Sequence, residues 1–165
     1  MGGKSLLGRR TILAHCVHCQ DVELERMAET GTSISHCPVS QLFLGSGTMP
    51  WKRTVASGVN ISSGTDFGGG DEWLIPRVLG GDAFKQHITE PGEDGVSMHP
   101  AEMLFVGTLA GARALDMESR FGNFDAGKEA DFLVVEPADA LKGLLDSAYR
   151  SADATWPATK RCSPC

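Results

Sequence analysis

The sequence predicts an α/β fold with parallel strands, and three observations carry that prediction. Short β-prone runs begin at Thr11, Ser33 and Val59, and each is followed by a segment with helical signals. Each run leads into a residue able to bind metal or move a proton: His15, His36 and Asp66. The chain has 165 residues, too few for a complete (β/α)₈ barrel of about 250 residues. Three strand-then-helix units in succession are the pattern of parallel βα architecture.

The elements follow in order. Thr11-Ile12-Leu13-Ala14 is an apolar run that stops at polar His15. Asp21 is placed to cap a helix with Leu24, Met27 and Ala28 on one face, and Gly31 suits its C′ position. Ser33-Ile34-Ser35 ends in His36 and is closed by Cys37-Pro38, after which a loop carries Gly45-Ser46-Gly47. Pro50 reads as the first residue of a helix that stops at Gly58. Val59-Asn60-Ile61-Ser62 opens the third run, which ends at Thr65-Asp66 before Gly68-Gly69-Gly70. Asp71 is placed to cap the next helix, interrupted by Pro76 and Gly80-Gly81. Pro100 begins one helix with apolar Met103, Leu104, Val106, Leu109, Ala110 and Ala114. Residues 121–128 read as turns leading into a strand over 130–135, and 141–148 has helical character.

The polar strand ends are the informative part. In a parallel barrel the carboxyl ends of the strands open onto one face, where site chemistry sits. Asp and His are common at loop entries, so each residue by itself says little. Three in register point to a shared pocket.

Composition narrows the classes. Apolar residues at 41% and charged ones at 22% are globular rather than disordered proportions. A net charge of −6 gives no electrostatic footprint for nucleic acid or anionic lipid. No apolar run approaches the roughly 20 residues of a membrane span, and Met1 to Arg10 lacks the apolar stretch of a signal peptide, which sets a cytoplasmic expectation. Five cysteines, at 16, 19, 37, 162 and 165, are an odd count that fits reduced thiols. The pairs Cys16/Cys19 and Cys162/Cys165 lie too far apart in sequence for a paired zinc knuckle, which wants about 15–20 residues between them. Gly122 to Lys128 imitates a phosphate-binding loop, but Glu129 stands where a hydroxyl must reach Mg²⁺.

Three segments together resemble the zinc-dependent amidohydrolase superfamily and, within it, the guanine deaminases. They are Leu13-Ala14-His15-Cys16, the stretch from Ser35-His36-Cys37-Pro38 through Leu42-Phe43-Leu44-Gly45-Ser46-Gly47, and Gly64-Thr65-Asp66-Phe67-Gly68-Gly69-Gly70. Gly127-Lys128-Glu129-Ala130-Asp131-Phe132 resembles the strand that returns to the small β-sandwich of that superfamily. The resemblance implies the C-terminal part of a (β/α)₈ TIM barrel, its last three βα units, plus a returning β-sandwich segment. It divides the chain into a leader over 1–10, a partial barrel over 11–118, a β-sandwich segment over 119–137 and an unassigned tail over 138–165. It implies hydrolysis of guanine to xanthine and ammonia, or of another purine or a triazine. Asp66 then acts as metal ligand and base, His15 approaches the metal and orients the water, and His36 stands near the pocket wall, for substrate binding or for packing. The implied metal is Zn²⁺, with Fe as the alternative, and the implied substrate is a small purine. The Gly68-Gly69-Gly70 triplet would let backbone approach a flat ring closely, or serve as a hinge.

The sequence also departs from that pattern. Gln41 stands where the family usually has asparagine after Pro-x-Ser, and Gly80-Gly81 carries an extra glycine. The superfamily's His-x-His and His-x-x-Glu have no counterpart upstream of Thr11. A catalytic zinc site takes three or more protein ligands, so Asp66 and His15 form an incomplete set. His18, His87 and His99 read as a loop residue, a helix end and a helix lead-in. The expectation is therefore a C-terminal fragment that is inactive alone, as a homo-oligomer or beside a chain carrying the missing N-terminal half. The competing expectation is a non-catalytic truncated or split product. Open strand edges and apolar Phe132-Leu133-Val134-Val135 favour self-association in either case.

Overall fold

The computed structural model describes residues 6–81 and 98–134. The helical segment expected at 141–148, His87, Cys162, Cys165, the tail over 138–165 and the start of the leader lie outside the described residues.

Three parallel strands form one sheet in the order β1 (Ile12–Ala14), β2 (Ser33–His36), β3 (Asn60–Ser63). Leu13 sits opposite Ile34, Ile34 opposite Ile61, and His36 opposite Ser63. β2 is central and the most deeply placed, with Ser33, Ile34 and His36 buried. Ser33 and Ile34 point to opposite faces of the sheet, so their burial shows that both faces of this strand are shielded from water, as in parallel sheets.

Helix α1 (Asp21–Thr30) follows β1 and turns Leu24 and Met27 into the core. Its cap is Gln20 rather than Asp21, which is the first helical residue. Glu23 closes a capping box by accepting from the Gln20 backbone N–H at 2.8 Å. Gly31 ends the helix with φ of 73°, the left-handed position where glycine costs least. After β2 the structure adds a helix that the sequence reading left as loop, α2 (Pro38–Phe43). Pro38 does not close the strand; it starts this helix, where its missing N–H has no intrahelical partner to lose. Helix α3 (Trp51–Ala56) begins one residue after Pro50.

Beyond β3, α4 covers Ile75–Gly80, with Pro76 in its first turn and Leu74, not Asp71, as cap. Glu72 instead accepts from the Trp73 and Leu74 backbone N–H groups, both at 2.8 Å. The glycine pair ends this helix rather than interrupting it. The single helix expected from Pro100 is two, α5 (Pro100–Gly107) and α6 (Leu109–Ala114), broken at Thr108. Thr108 leaves helical geometry with φ of −131° and ψ of −88°. Leu104, expected on the inner face, is exposed. His99 is the lead-in the sequence suggested, accepting from the Ala101 N–H while Glu102 accepts from its own.

Leu24, Met27, Ile34, Met49, Trp51, Val59, Ile61, Leu79 and Val106 make one buried cluster beneath the sheet and helices. Each such side chain contributes about 1.5–3 kcal/mol relative to exposure. Asn60 ties β3 to its neighbours, donating from Nδ2 to Ser33 Oγ and to the Ala110 carbonyl, each at 3.0 Å. Residues 8 and 9 are tied down: the Gly8 N–H donates to Thr32 Oγ1 at 2.9 Å, and Arg9 pairs with Asp116. The strand expected over 130–135 is absent from its described part, where 130–134 carry no strand and Phe132, Leu133 and Val134 are exposed. No helix among the described residues is long and apolar enough to cross a membrane.

Candidate active site

His15 lies one residue beyond β1, His36 is the last residue of β2, and Asp66 lies just past the end of β3. All three therefore occupy the carboxyl ends of the strands. The chain turns sharply there. His15, Cys16 and Asp66 have φ of 71°, 49° and 49°, a left-handed region that non-glycine residues enter rarely and at functional sites often.

The first turn is held by three bonds. The His15 N–H donates to the Ser35 carbonyl at 2.9 Å and the Cys16 N–H to the Ala14 carbonyl at 2.9 Å. Gln41, buried on α2, donates from Nε2 to the His15 carbonyl at 3.0 Å. The turn at Asp66 is held by the glycines that follow it. The Gly69 and Gly70 N–H groups both donate to the Asp66 carbonyl, at 2.9 and 3.2 Å.

These turns bring two of the three sequence-singled residues together. His15 Nε2 is 3.6 Å from Asp66 Oδ2, with the side chains 40% and 38% exposed, so both reach solvent on an open face. His36 is elsewhere. Its side chain is fully buried and meets the Trp51 ring edge-on at 5.3 Å, which places it in the core beneath the face.

A zinc ion takes nitrogen at about 2.0–2.1 Å and carboxylate oxygen at about 2.0–2.2 Å, which at a tetrahedral angle sets two such ligands roughly 3.4 Å apart. The His15–Asp66 separation matches that spacing, so the pair fits two positions of a metal site. It does not fit a whole one: among the described residues no group of three His, Cys, Asp or Glu side chains could hold a metal ion.

The surroundings are thiol-rich. Burial, then the neighbouring Cys19 and Glu23, pushes the Cys16 thiol up to about 12. Burial also pushes the Cys37 thiol up, and the Asp66 charge adds to it, against a lowering hydrogen bond with Ser35. Cys16, Cys19 and Cys37 are all free thiols. His18 touches the Ser46 carbonyl at 3.2 Å, joining the loop after β1 to the loop after α2. Gln41 is the site residue that sequence reasoning registered only as a departure. The signal for its placement was Pro38, which marks a helix start as Pro50 does. The phosphate-loop imitation resolves as a local turn, with Lys128 Nζ 3.3 Å from Asp125 of the same segment.

The amidohydrolase family model matches residues 1–158. The guanine deaminase of Escherichia coli (strain K12) is 38% identical over 132 residues, spanning 80% of this chain and 29% of that protein. Among solved structures, E. coli guanine deaminase aligns with a TM-score of 0.73 at 36% identity, covering 81% of this chain and 30% of that one. An adenosine deaminase from Xanthomonas campestris, solved with zinc bound, aligns with a TM-score of 0.74 at 29% identity over 86% of this chain and 33% of that one. The chain thus spans about a third or less of the length of these relatives.

Proposed function

The chain belongs to the amidohydrolase family, and from that premise we propose that it is the C-terminal part of a guanine deaminase, turning guanine and water into xanthine and ammonia once the rest of the site is supplied. The observation that carries the reading is the His15–Asp66 pair, 3.6 Å apart at the carboxyl ends of two parallel strands. Guanine is supported as the substrate by two relatives named guanine deaminase or probable guanine deaminase at 38% identity, against 35% for a 5-methylthioadenosine/S-adenosylhomocysteine deaminase.

In this reading β1 to β3 with their helices are the last three βα units of a (β/α)₈ barrel over 11–118, and 119–137 is a segment of a β-sandwich. Asp66 and His15 would be two of the ligands of Zn²⁺ or Fe. The metal, when bound, supplies the acidity that brings the pKa of water to roughly 7. Asp66 Oδ2 is the acceptor for the proton that the attacking water gives up. His15, holding the metal through Nε2, would orient that water by fixing where the metal sits beside Asp66. His36, packed on Trp51, supports the floor on which the substrate rests. The remaining ligands and the proton donor for the ring nitrogen come from polypeptide outside this chain, a second chain or a preceding segment. The chain alone is therefore inactive.

The test is xanthine formation from guanine by the chain alone and by the chain assembled with a polypeptide supplying the first part of E. coli guanine deaminase. The expected result is no activity alone and zinc-dependent activity in the assembly, lost on Asp66→Ala. An assembled, zinc-loaded protein that deaminates adenosine but leaves guanine untouched overturns the substrate. Unchanged activity of the Asp66→Ala assembly overturns the site.

A further inference from the structure

Gln41 is 1% exposed, and its Oε1 is buried with no hydrogen-bond partner among the described residues, so this long polar side chain is held in place at a cost. Burying an amide is costly unless it is hydrogen-bonded, about 1–3 kcal/mol for the polar group left unpaired. One of its functions is visible: Nε2 donates to the His15 carbonyl at 3.0 Å across 26 residues of chain. That carbonyl belongs to the first of two consecutive left-handed residues, His15 and Cys16. Such residues persist only where the surroundings over-determine them.

The imidazole needs that support. A metal-ligating histidine is ordinarily oriented through its second ring nitrogen, which donates to a carboxylate or carbonyl. His15 Nδ1 is buried and has no hydrogen-bond partner among the described residues. The direction of the His15 ring is therefore set by its backbone, and the backbone is set by the bonds to Ser35, Ala14 and Gln41. Of the three, only the bond from Gln41 comes from a side chain, so it is the one a substitution removes while the strand ladder stays.

We propose that Gln41 is a positioning residue for His15: its buried amide clamps the left-handed His15–Cys16 turn from below and so keeps the imidazole within reach of Asp66. The proposal deepens the functional reading above and rests on it for the purpose of the pair, but the clamp itself exists in the chain as it stands. It also gives a role to the one departure in the Pro-Val-Ser-Gln segment: the side chain at 41 is long enough to span from α2 to the loop beyond β1.

The experiment uses the whole 165-residue chain with ring-labelled histidine and reads the His15 resonances by NMR. Asp66→Asn shifts the His15 ring signals in the wild-type background, because the two side chains are neighbours. In Gln41→Met, which keeps length and apolar volume but removes the donor, the same Asp66→Asn change shifts them by less than half as much. Equal shifts in the two backgrounds overturn the proposal, as does the absence of any shift in the wild type. A second measurement needs no variant. The Gln41 side-chain N–H protons exchange at least tenfold more slowly than those of exposed Gln20, and equal exchange overturns the clamp even where Gln41→Met does not fold. Failure of guanine deamination in the assembled enzyme, with the clamp intact, overturns the functional reading and leaves the positioning role standing.

Discussion

Asp66 holds its carboxylate against the bare backbone of Gly69: a Cβ placed there would stand 2.7 Å from Asp66 Oδ2. A side chain at 69 would therefore require the partly exposed Asp66 carboxylate to move. Gly69→Ala is expected to push the carboxylate away from His15. A displacement of about 1 Å costs on the order of 10²-fold in rate. In the assembled enzyme kcat/KM should fall by about that factor, while urea unfolding of the chain changes little. Full activity in Gly69→Ala would show that Asp66 does not act where it stands.

Asp66→Asn separates chemistry from shape. Asparagine tolerates the left-handed backbone that Asp66 adopts, and the side chain is exposed, so chain stability should stay within about 0.5 kcal/mol. The amide neither accepts the water's proton nor carries charge to a cation. Guanine turnover of the assembled enzyme should drop by more than about 10⁴-fold, measured by initial rates at saturating metal.

Ile34 tests the packing. It is wholly buried at the centre of the middle strand, opposite Leu13 and Ile61. Ile34→Ala should cost about 2–5 kcal/mol, the transfer term plus the cavity it leaves, as read by the urea midpoint at unchanged slope.

The Cys16 thiol gives a pH dependence. Its pKa is raised from 9.0 to about 12 by burial first, then by Cys19 and Glu23. Between those values the unfolded chain has released a proton that the folded chain keeps, so stability falls as pH rises through this window and is undiminished below it. Urea midpoints at about pH 8 and about pH 10.5 should differ more in the wild type than in Cys16→Ala. Equal differences would show that the thiol does not sense its burial.

Zinc tests the completeness of the site. A ligand at 100 times its Kd stabilises the folded state by about 2.7 kcal/mol. With His15 and Asp66 the two donors paired on the open face among the described residues, zinc at about 100 µM should raise the stability of the chain alone by less than about 0.5 kcal/mol. Calorimetric titration that finds one tight zinc per chain would contradict the two-donor geometry.

The three βα units were legible because hydrophobic runs and their polar ends are local features. Ile12 to Ala14, Ser33 to His36 and Asn60 to Ser63 need no distant partner to look like strands. What was not legible depended on distance. Asp71 has the chemistry of a cap, but Glu72 bonds the backbone N–H groups ahead of α4 and the helix starts later. Thr108 splits the helix after Pro100 next to Gly107, where a Cβ would come within 2.7 Å of Leu79 on α4. That close approach belongs to the packing of two helices. His36 looked like its companions at 15 and 66, yet Trp51 covers it, and nothing in the residues around 36 announces a tryptophan fifteen positions on. The pairing of His15 with Asp66 was implied by register. The left-handed turns and the Gln41 bond that produce it were not.

Gly8 is bonded to Thr32, the residue immediately before β2, whereas His15 and Asp66 stand past the other ends of their strands. The chain thus enters the sheet from the side opposite its own open face. Gly8 lies on that far side, and a donor for the His15–Asp66 pair that starts from there has to travel the depth of the sheet to arrive. A segment that contributes to the pair must span that depth, which makes reach across the sheet, rather than proximity along the chain, the condition for completing the face.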